Sequence, residues 1–357
     1  MDRVKTDPMQ RKLKVGLVGF GRWGRKLAHG LLNSPQVELL GVCDRAFNAG
    51  QTLPLCGAEL VATCNELGAL LQHSKIEALV VATPADSHAE LSRAALQAGL
   101  HVFVEKPLAL NVEDANDLLR CARSVRRIMM VGHILHHDPA VIAARRWIQD
   151  GADRDISLCL SERINVGHIH PLTAWWDLAP HDLSLFLSLL GASSRRIAIA
   201  ANHGVLDATI GFQCGTGRLR VGFGPERIRR MAWIGGGSAL LLNDAPGRPR
   251  LAQAVLNPGA ALRFVAKHRD FSMTELWRRL DEVTESACEI AVPSADALNA
   301  QFAHFAHCAL RGQRPTSDGA EGAAVVELLA AGEALLQPRS VEKPRNALHS
   351  QPVLVQT

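Results

Sequence analysis

Lys106, Asp177 and His181 are the side chains of this sequence whose types and spacing suit proton transfer and the stabilisation of the charge it leaves. Lys106 lies in Glu105-Lys106-Pro107, directly after the apolar run His101-Val102-Phe103-Val104. At the end of a strand a lysine can lower the pKa of a substrate hydroxyl or donate to a developing alkoxide; the plain alternative is a solvated loop lysine. Asp177 and His181 are four residues apart in Trp175-Trp176-Asp177-Leu178-Ala179-Pro180-His181-Asp182. On the first turns of one helix they would share a face, and a histidine can take and return a proton near neutral pH. The competing reading is that Asp177 caps the helix and His181 is a satisfied interior histidine.

A second pattern decides what such a proton transfer would serve. Lys14-Val15-Gly16-Leu17-Val18 is an apolar strand that breaks into Gly19-Phe20-Gly21-Arg22-Trp23-Gly24, which fits G-x-G-x-x-G. The first glycine makes a tight turn, the second lets the backbone approach a pyrophosphate, and the third lets the following helix pack on the strand. That helix then presents free N–H groups to the anion. A glycine-rich turn alone is weak evidence. Here the next strand, Val37-Glu38-Leu39-Leu40-Gly41-Val42-Cys43, ends in Asp44, twenty residues after Gly24, where a ribose-binding carboxylate belongs. The expectation is dinucleotide binding, with NAD favoured because the Asp44 carboxylate repels a 2′-phosphate; Arg45 beside it keeps NADP open.

The elements that must position these residues fall into two sets. Up to Gln149, strands alternate with helices: strands at Ile76–Ala82, His101–Val104 and Ile128–Val131, and helices at Arg25–Asn33, Leu67–Gln72, Ala89–Ala98, Val112–Ser124 and Ala140–Gln149. Such alternation predicts a parallel, doubly wound α/β sheet of Rossmann type, whose strand ends are where ligands sit. After Gly151, strand-like stretches follow one another at Ile156–Ile164, Arg196–Asn202, Asp207–Gln213, Arg218–Phe223 and Ala239–Leu242, interrupted by a helix at Asp177–Leu190. These predict an α+β domain with an open, largely antiparallel sheet, and Leu298–Leu310 and Gly319–Leu336 predict two late helices. The expected division is a flexible leader over 1–12, a dinucleotide-binding domain over 13–135, a substrate and oligomerisation domain over 136–337, and a flexible tail over 338–357.

Composition narrows the function classes. The 357 residues are 47% hydrophobic and 21% charged, enough for a large core. A formal net charge of +4, with Lys and Arg scattered except for pairs such as Arg126-Arg127 and Arg229-Arg230, does not suggest a nucleic-acid groove but suits anionic small molecules. Eight cysteines without a C-x-x-C pair indicate neither a zinc site nor a disulfide framework, so no metal is expected and a reducing cytoplasm is the simplest compartment. Residues 1–12 are polar and basic with no apolar h-region or cleavage signature, and no run of the chain suits a membrane span.

The glycine turn, Val81-Ala82-Thr83-Pro84 with His88, Glu105-Lys106-Pro107, and Asp177 with His181, in this order, resemble the glucose–fructose oxidoreductase/inositol dehydrogenase (Gfo/Idh/MocA) family over about residues 14–335. Within it, Val131-Gly132-His133, Pro139-Ala140, Ser161 to Gly167 and Trp176 to Asp182 look most like bacterial dehydrogenases acting at C3 of UDP-N-acetylglucosamine or its uronic acid. The resemblance implies a cytoplasmic, NAD-dependent homodimer or homotetramer oxidising a secondary alcohol of a sugar ring, with Lys106 and His181 as catalytic pair and Asp177 orienting substrate or His181. It implies cofactor contacts from Gly19 to Gly24 (with Phe20, Arg22 and Trp23) and from Asp44, Arg45, Thr83, Pro84, His88, Glu105, Lys106 and Trp176. Substrate contacts are implied for Lys106, His133, His137, Arg163, Asn165 and His181. Departures fall where substrate is read. His137 stands where relatives carry Tyr, His168 and His170 lie where relatives are basic, and Leu219-Arg220-Val221-Gly222-Phe223-Gly224 replaces a His-x-Ser-Trp-like strand. Two other readings stay open: a same-fold reductase or dehydrogenase of a free cyclitol, ketose or other carbonyl or imine, and a non-catalytic dinucleotide-binding sensor. Retention of Lys106 and His181 speaks against the sensor.

Overall fold

The computed structural model describes residues 11–48, 52–53, 61–72, 75–150, 156–167, 171–202, 204–256, 258–284 and 287–336. The expected leader up to residue 10, the tail over 338–357, and His168 and His170 lie outside the described residues. The first sheet has seven strands: β1 (Leu13–Val18), β2 (Val37–Cys43), β3 (Thr52–Leu53), β4 (Val61–Cys64), β5 (Ala78–Val81), β6 (His101–Val104) and β7 (Met129–Val131). Their order is β3-β4-β2-β1-β5-β6-β7, and all neighbours are parallel except β3 with β4. β5 is buried at every position, because helices cover both faces of a parallel sheet. α1 (Arg22–Asn33) lies on one face; α3 (His88–Gln97) and α4 (Val112–Ser124) lie on the other, with α2 (Leu67–Leu71) beside β4.

The chain crosses through α5 (Pro139–Gln149) into the second sheet. Its strands are β8 (Ile156–Val166), β9 (Ser193–Asn202), β10 (Val205–Phe212), β11 (Thr216–Gly224), β12 (Ile228–Gly235), β13 (Ser238–Asn243), β14 (Leu251–Val255) and β15 (Cys288–Glu289), in the order β15-β14-β13-β12-β8-β11-β10-β9. Every pair is antiparallel except β8 with β11. One face packs on α6 (Pro171–Leu190), where Trp175, Leu178 and Phe186 meet Leu206, Met231 and Trp233. The other face is covered in part by α7 (Pro258–Lys267) and α8 (Met273–Val283), through Met273, Leu276, Trp277 and Leu280 on Leu158, Leu160 and Ile234.

The fold class read from the sequence is the one observed, with several local differences. α6 begins at Pro171 rather than Asp177. β3, β4, β12, β14, β15, α7 and α8 arise where no element is expected. β12 opens with Arg229-Arg230, which alternate between the two sheet faces and so read as a charged pair rather than as a strand. The chain finally returns to the first sheet. α9 (Ala297–Arg311) sets Phe302 and Phe305 against Phe103, while α10 (Gly319–Leu336) places Ala323 and Val326 on the opposite face and Val325, Leu328 and Leu329 in the core under α6. α10 therefore ties the two sheets together beside the first sheet's C-terminal strand ends.

Candidate active site

The glycine turn sits between β1 and α1, and its three glycines meet different demands. Gly19 has φ +92°, and a Cβ there would lie 2.7 Å from the Ala82 carbonyl and the Thr83 nitrogen. A Cβ on Gly24 would lie 2.1 Å from the Gly19 carbonyl oxygen, so helix and strand approach only because the side chain is absent. At Gly21, which precedes α1 without a side-chain cap, a Cβ would meet nothing within 4 Å. The turn thus leaves open space beside the free N–H groups of α1, the arrangement a diphosphate needs. Asp44 closes the far side: its carboxylate accepts from the Phe20 N–H at 2.6 Å and the Ala46 N–H at 2.9 Å, which fixes it beside the turn. Arg22, Trp23 and Arg45 are exposed around it, with the Lys26 ammonium 5.4 Å from the Trp23 ring centre.

Loops at the ends of β5 and β6 form the next wall. His88, at the start of α3, is buried with Nδ1 2.8 Å from the Pro107 carbonyl and Nε2 2.9 Å from the Thr83 carbonyl. It therefore ties Thr83-Pro84 to Glu105-Lys106-Pro107. The Glu105 carboxyl is buried over Gly132, and burial raises its pKa against the opposing hydrogen bond from Trp23 and the charge of Lys106.

Lys106 reaches across to α6. Its ammonium donates to the Asp177 carboxylate at 2.6 Å and to the Asp177 backbone carbonyl at 2.7 Å. Pro180 within α6 has no N–H for the Trp176 carbonyl and its ring crowds that carbonyl, which loosens the helix ladder at the turn where Lys106 docks. Asp177 is thus a lysine partner inside the helix and not its cap. His181, one turn on, has a pKa well below the ordinary imidazole value, through burial first and then the charges of Lys106, Arg163, His133 and Arg229. The ring is neutral at neutral pH. Among the described residues its buried Nδ1 has no partner, while part of the residue stays exposed.

A polar layer under His181 holds α6 to the second sheet. Asp182 is fully buried and accepts from the Ser161 hydroxyl and from Nε and Nη2 of Arg163, each at 2.8 Å. Burial alone would make the Arg163 charge costly, and Asp182 overrides it, leaving the guanidinium pKa raised. Asn165 on the same strand accepts from Arg229 at 3.2 Å. Trp176 gives its indole N–H to Glu333 at 3.0 Å and lies between the cores of the two sheets.

His133 joins this group, whereas His137 does not. His133 Nδ1 is 2.8 Å from the Glu321 carboxylate, and its buried Nε2 has no partner among the described residues. The His137 ring lies 5.2 Å from that of His304, and burial, His304 and Arg145 push its pKa down to about 3. His133, His136 and Glu321 have the types of a metal-ligand group. However, Arg145, which can only donate, contacts His136 Nδ1, so Nε2 carries the proton and faces Ser184. The structure therefore brings Lys106, Asp177, His181, His133 and Arg163 into one neighbourhood, with Asn165 joined to it through Arg229. Sequence reading missed Asp182, Arg229 and Glu321: the first stood in a quoted motif, the second in a noted charge pair, and the third gave no local signal.

The seven-stranded doubly wound sheet with its glycine turn is a Rossmann-type fold. Residues 13–133 match the model of the oxidoreductase family with NAD-binding Rossmann fold, GFO_IDH_MocA. UDP-N-acetylglucosamine 3-dehydrogenase of Acidithiobacillus ferrooxidans is 29% identical over 194 residues, 53% of this chain and 59% of that protein. Its solved structure superposes with a TM-score of 0.71 at 23% identity, covering 91% of this chain and 99% of that one. Inositol 2-dehydrogenase of Rhizobium meliloti is 29% identical over 146 residues, 41% of this chain and 43% of that protein. A 3-ketoreductase variant from Actinomadura kijaniata, solved with TDP-benzene and NADP, superposes with a TM-score of 0.67 at 18% identity over 91% of this chain and 98% of that one. At these identities the superpositions establish the fold. In sequence, the chain spans about half the length of the curated relatives it matches. Among the described residues no helix is long and apolar enough to cross a membrane.

Proposed function

We propose that the protein is a cytoplasmic NAD(P)-dependent oxidoreductase that oxidises a secondary alcohol of a sugar ring, C3 of a nucleotide-linked amino sugar in the preferred case. The observation that carries this reading is the pairing of an anchored lysine ammonium with a neutral histidine at the C-terminal strand ends of the first sheet. Gly19 to Gly24 and Asp44 would hold the dinucleotide, with Thr83, Pro84, His88, Glu105 and Trp176 shaping the wall beside it. A bound nicotinamide supplies the hydride acceptor. Asp44 favours NAD over NADP, with exposed Arg45 as the opposing influence.

The protein residues divide the remaining work. Two of the three Lys106 donors go to Asp177, so the ammonium is held in place with one donor left for a substrate oxygen. That donor lowers the pKa of the hydroxyl and stabilises the alkoxide as its charge grows. His181, kept neutral by burial and its cationic neighbours, accepts the hydroxyl proton. Asp177 is a positioning residue that fixes the lysine. Arg163 is held by Asp182, so its role is to shape the cleft from beneath and to keep His181 neutral.

The free cyclitol alternative is supported by the likeness to an inositol 2-dehydrogenase. One panel decides between them: UDP-N-acetylglucosamine, its uronic acid, and free myo-inositol, each assayed for NAD(P)H formation. Turnover on the nucleotide sugars above that on the cyclitol is the expected result. Turnover on none of the three would reject both the nucleotide-sugar and the cyclitol readings.

A further inference from the structure

On the α6-facing side of the second sheet, one arginine has no carboxylate at ion-pair distance among the described residues; Asp244 and Asp182 act on it only from further away. Arg163 on β8 and Arg229 on β12 are direct cross-strand partners. Both face α6: Ser161, two residues before Arg163, bonds Asp182 on that helix, and Met231 and Trp233, alternating with Arg229, pack in its core. Arg163 is neutralised by Asp182. The neighbouring arginines are likewise matched. Arg230, on the opposite face, pairs with Glu162 at 2.6 Å, Arg220 with Asp207 at 2.6 Å, and Arg250 with Asp138 at 2.6 Å and Asp244 at 3.1 Å. Among the described residues no carboxylate lies within 4.0 Å of the Arg229 guanidinium. It donates to the neutral amide oxygen of Asn165 at 3.2 Å, and its buried Nε has no partner among the described residues.

A guanidinium does not shed its proton in a protein, so a half-buried one beside a second arginine needs a counter-charge from elsewhere. Arg229 lines a cavity of ≈ 240 Å³ together with Arg163, Ile134, Asp138, Asp244 and Arg250. The two carboxylates there are already held by Arg250. Its cross-strand partner Arg163 bonds Asp182, the residue that follows His181 on α6. We propose that Arg229, with Asn165 beside it, is an oxyanion subsite that receives a phosphoryl or carboxylate group of the substrate next to the proton-transfer pair. Planar paired donors suit either group. This deepens the oxidoreductase reading and rests on it for the word substrate, but not for the binding.

Calorimetry on the full chain, with and without NADH, tests the subsite apart from turnover. The probes are UDP, glucuronate and inorganic phosphate, against wild type, Arg229→Gln and Arg229→Lys. The expected result is that wild type binds UDP or glucuronate with an affinity that falls as salt rises. Arg229→Gln then weakens that probe by roughly tenfold or more, Arg229→Lys recovers part of it, and NADH affinity and melting temperature stay put. Tighter UDP binding identifies the phosphoryl source, and tighter glucuronate the carboxylate. Undiminished binding by Arg229→Gln overturns the proposal, as does a wild-type protein that binds none of the three anions. A protein that binds through Arg229 yet turns over no sugar rejects the catalytic reading and leaves the subsite standing.

Discussion

Replacing Gly21 with valine separates the dinucleotide cradle from the fold that carries it. The backbone there is extended, with φ −66° and ψ −167°, a conformation open to any residue, and a Cβ meets nothing within 4 Å. The folding cost is therefore small, within about 1 kcal/mol, which moves the melting temperature of a domain this size by roughly 2–4 °C. The added carbons instead fill the space a diphosphate must enter beside α1, so dinucleotide affinity should fall at least a hundredfold, about 2.7 kcal/mol. Gly24→Ala is the contrasting case, because its Cβ would sit 2.1 Å from the Gly19 carbonyl oxygen and 2.9 Å from its carbon, both backbone atoms. That overpacking should cost roughly 1–3 kcal/mol or more and lower stability and binding together. Titration calorimetry with NADH and NADPH, beside thermal melts, reads both quantities. A Gly21→Val protein that binds with wild-type affinity, or that loses binding only along with a large fall in melting temperature, refutes the reasoning.

Three further outcomes follow from the geometry. Asp182→Asn leaves the Arg163 guanidinium buried without its counter-charge and should destabilise the fold by about 3–5 kcal/mol; an unchanged denaturation midpoint contradicts the pairing. His137, lowered to about 3 in the folded protein against an ordinary 6.5, makes the unfolded state bind the extra proton first, so stability present above pH 6.5 is lost as pH falls towards 3. At pH 5 this one ring should account for about 2 kcal/mol, and His137→Gln should lose that much less than wild type between pH 7 and 5; identical pH slopes in denaturant titrations reject it. For the cofactor, Asp44 should make NAD(H) bind at least roughly tenfold tighter than NADP(H), about 1.4 kcal/mol, with Asp44→Ala narrowing the gap. Equal affinities in the wild type would point to Arg45 as the dominant neighbour.

Local pattern carried β1, β2, β5, β6 and β7, which are largely apolar runs, but not the short β3 and β4 towards one edge of the first sheet, which carry no such run. α4 falls at Val112–Ser124 as read, with Asn111 capping it through the Asp114 N–H at 2.8 Å. The second sheet was less legible. β12 carries two adjacent arginines, one to each sheet face, ahead of an apolar run, so its arginines masked a strand whose meaning depends on β8 opposite. The start of α6 was missed because Trp175 and Ala174 are buried by α10, a contact no local window contains. In the cleft, residue types named Lys106 and His181 but not their relation. Sequence spacing suggested that Asp177 serves His181, whereas the structure gives Asp177 to Lys106. Glu321, 188 positions from His133, becomes its partner only through the return of the chain to the first sheet. Arg163 read as a substrate contact, and only the fold shows Asp182 beneath it and the unmatched Arg229 beside it.

The central claim is that Lys106 and His181 act on the substrate, and turnover by His181→Asn tests it most directly. On the best substrate of the sugar panel, the variant should show kcat reduced by roughly a hundredfold or more at unchanged NAD(H) affinity and melting temperature, since a loss confined to turnover marks an interaction made in the transition state. Lys106→Met should behave alike. A well-folded His181→Asn protein with near-normal turnover contradicts the account.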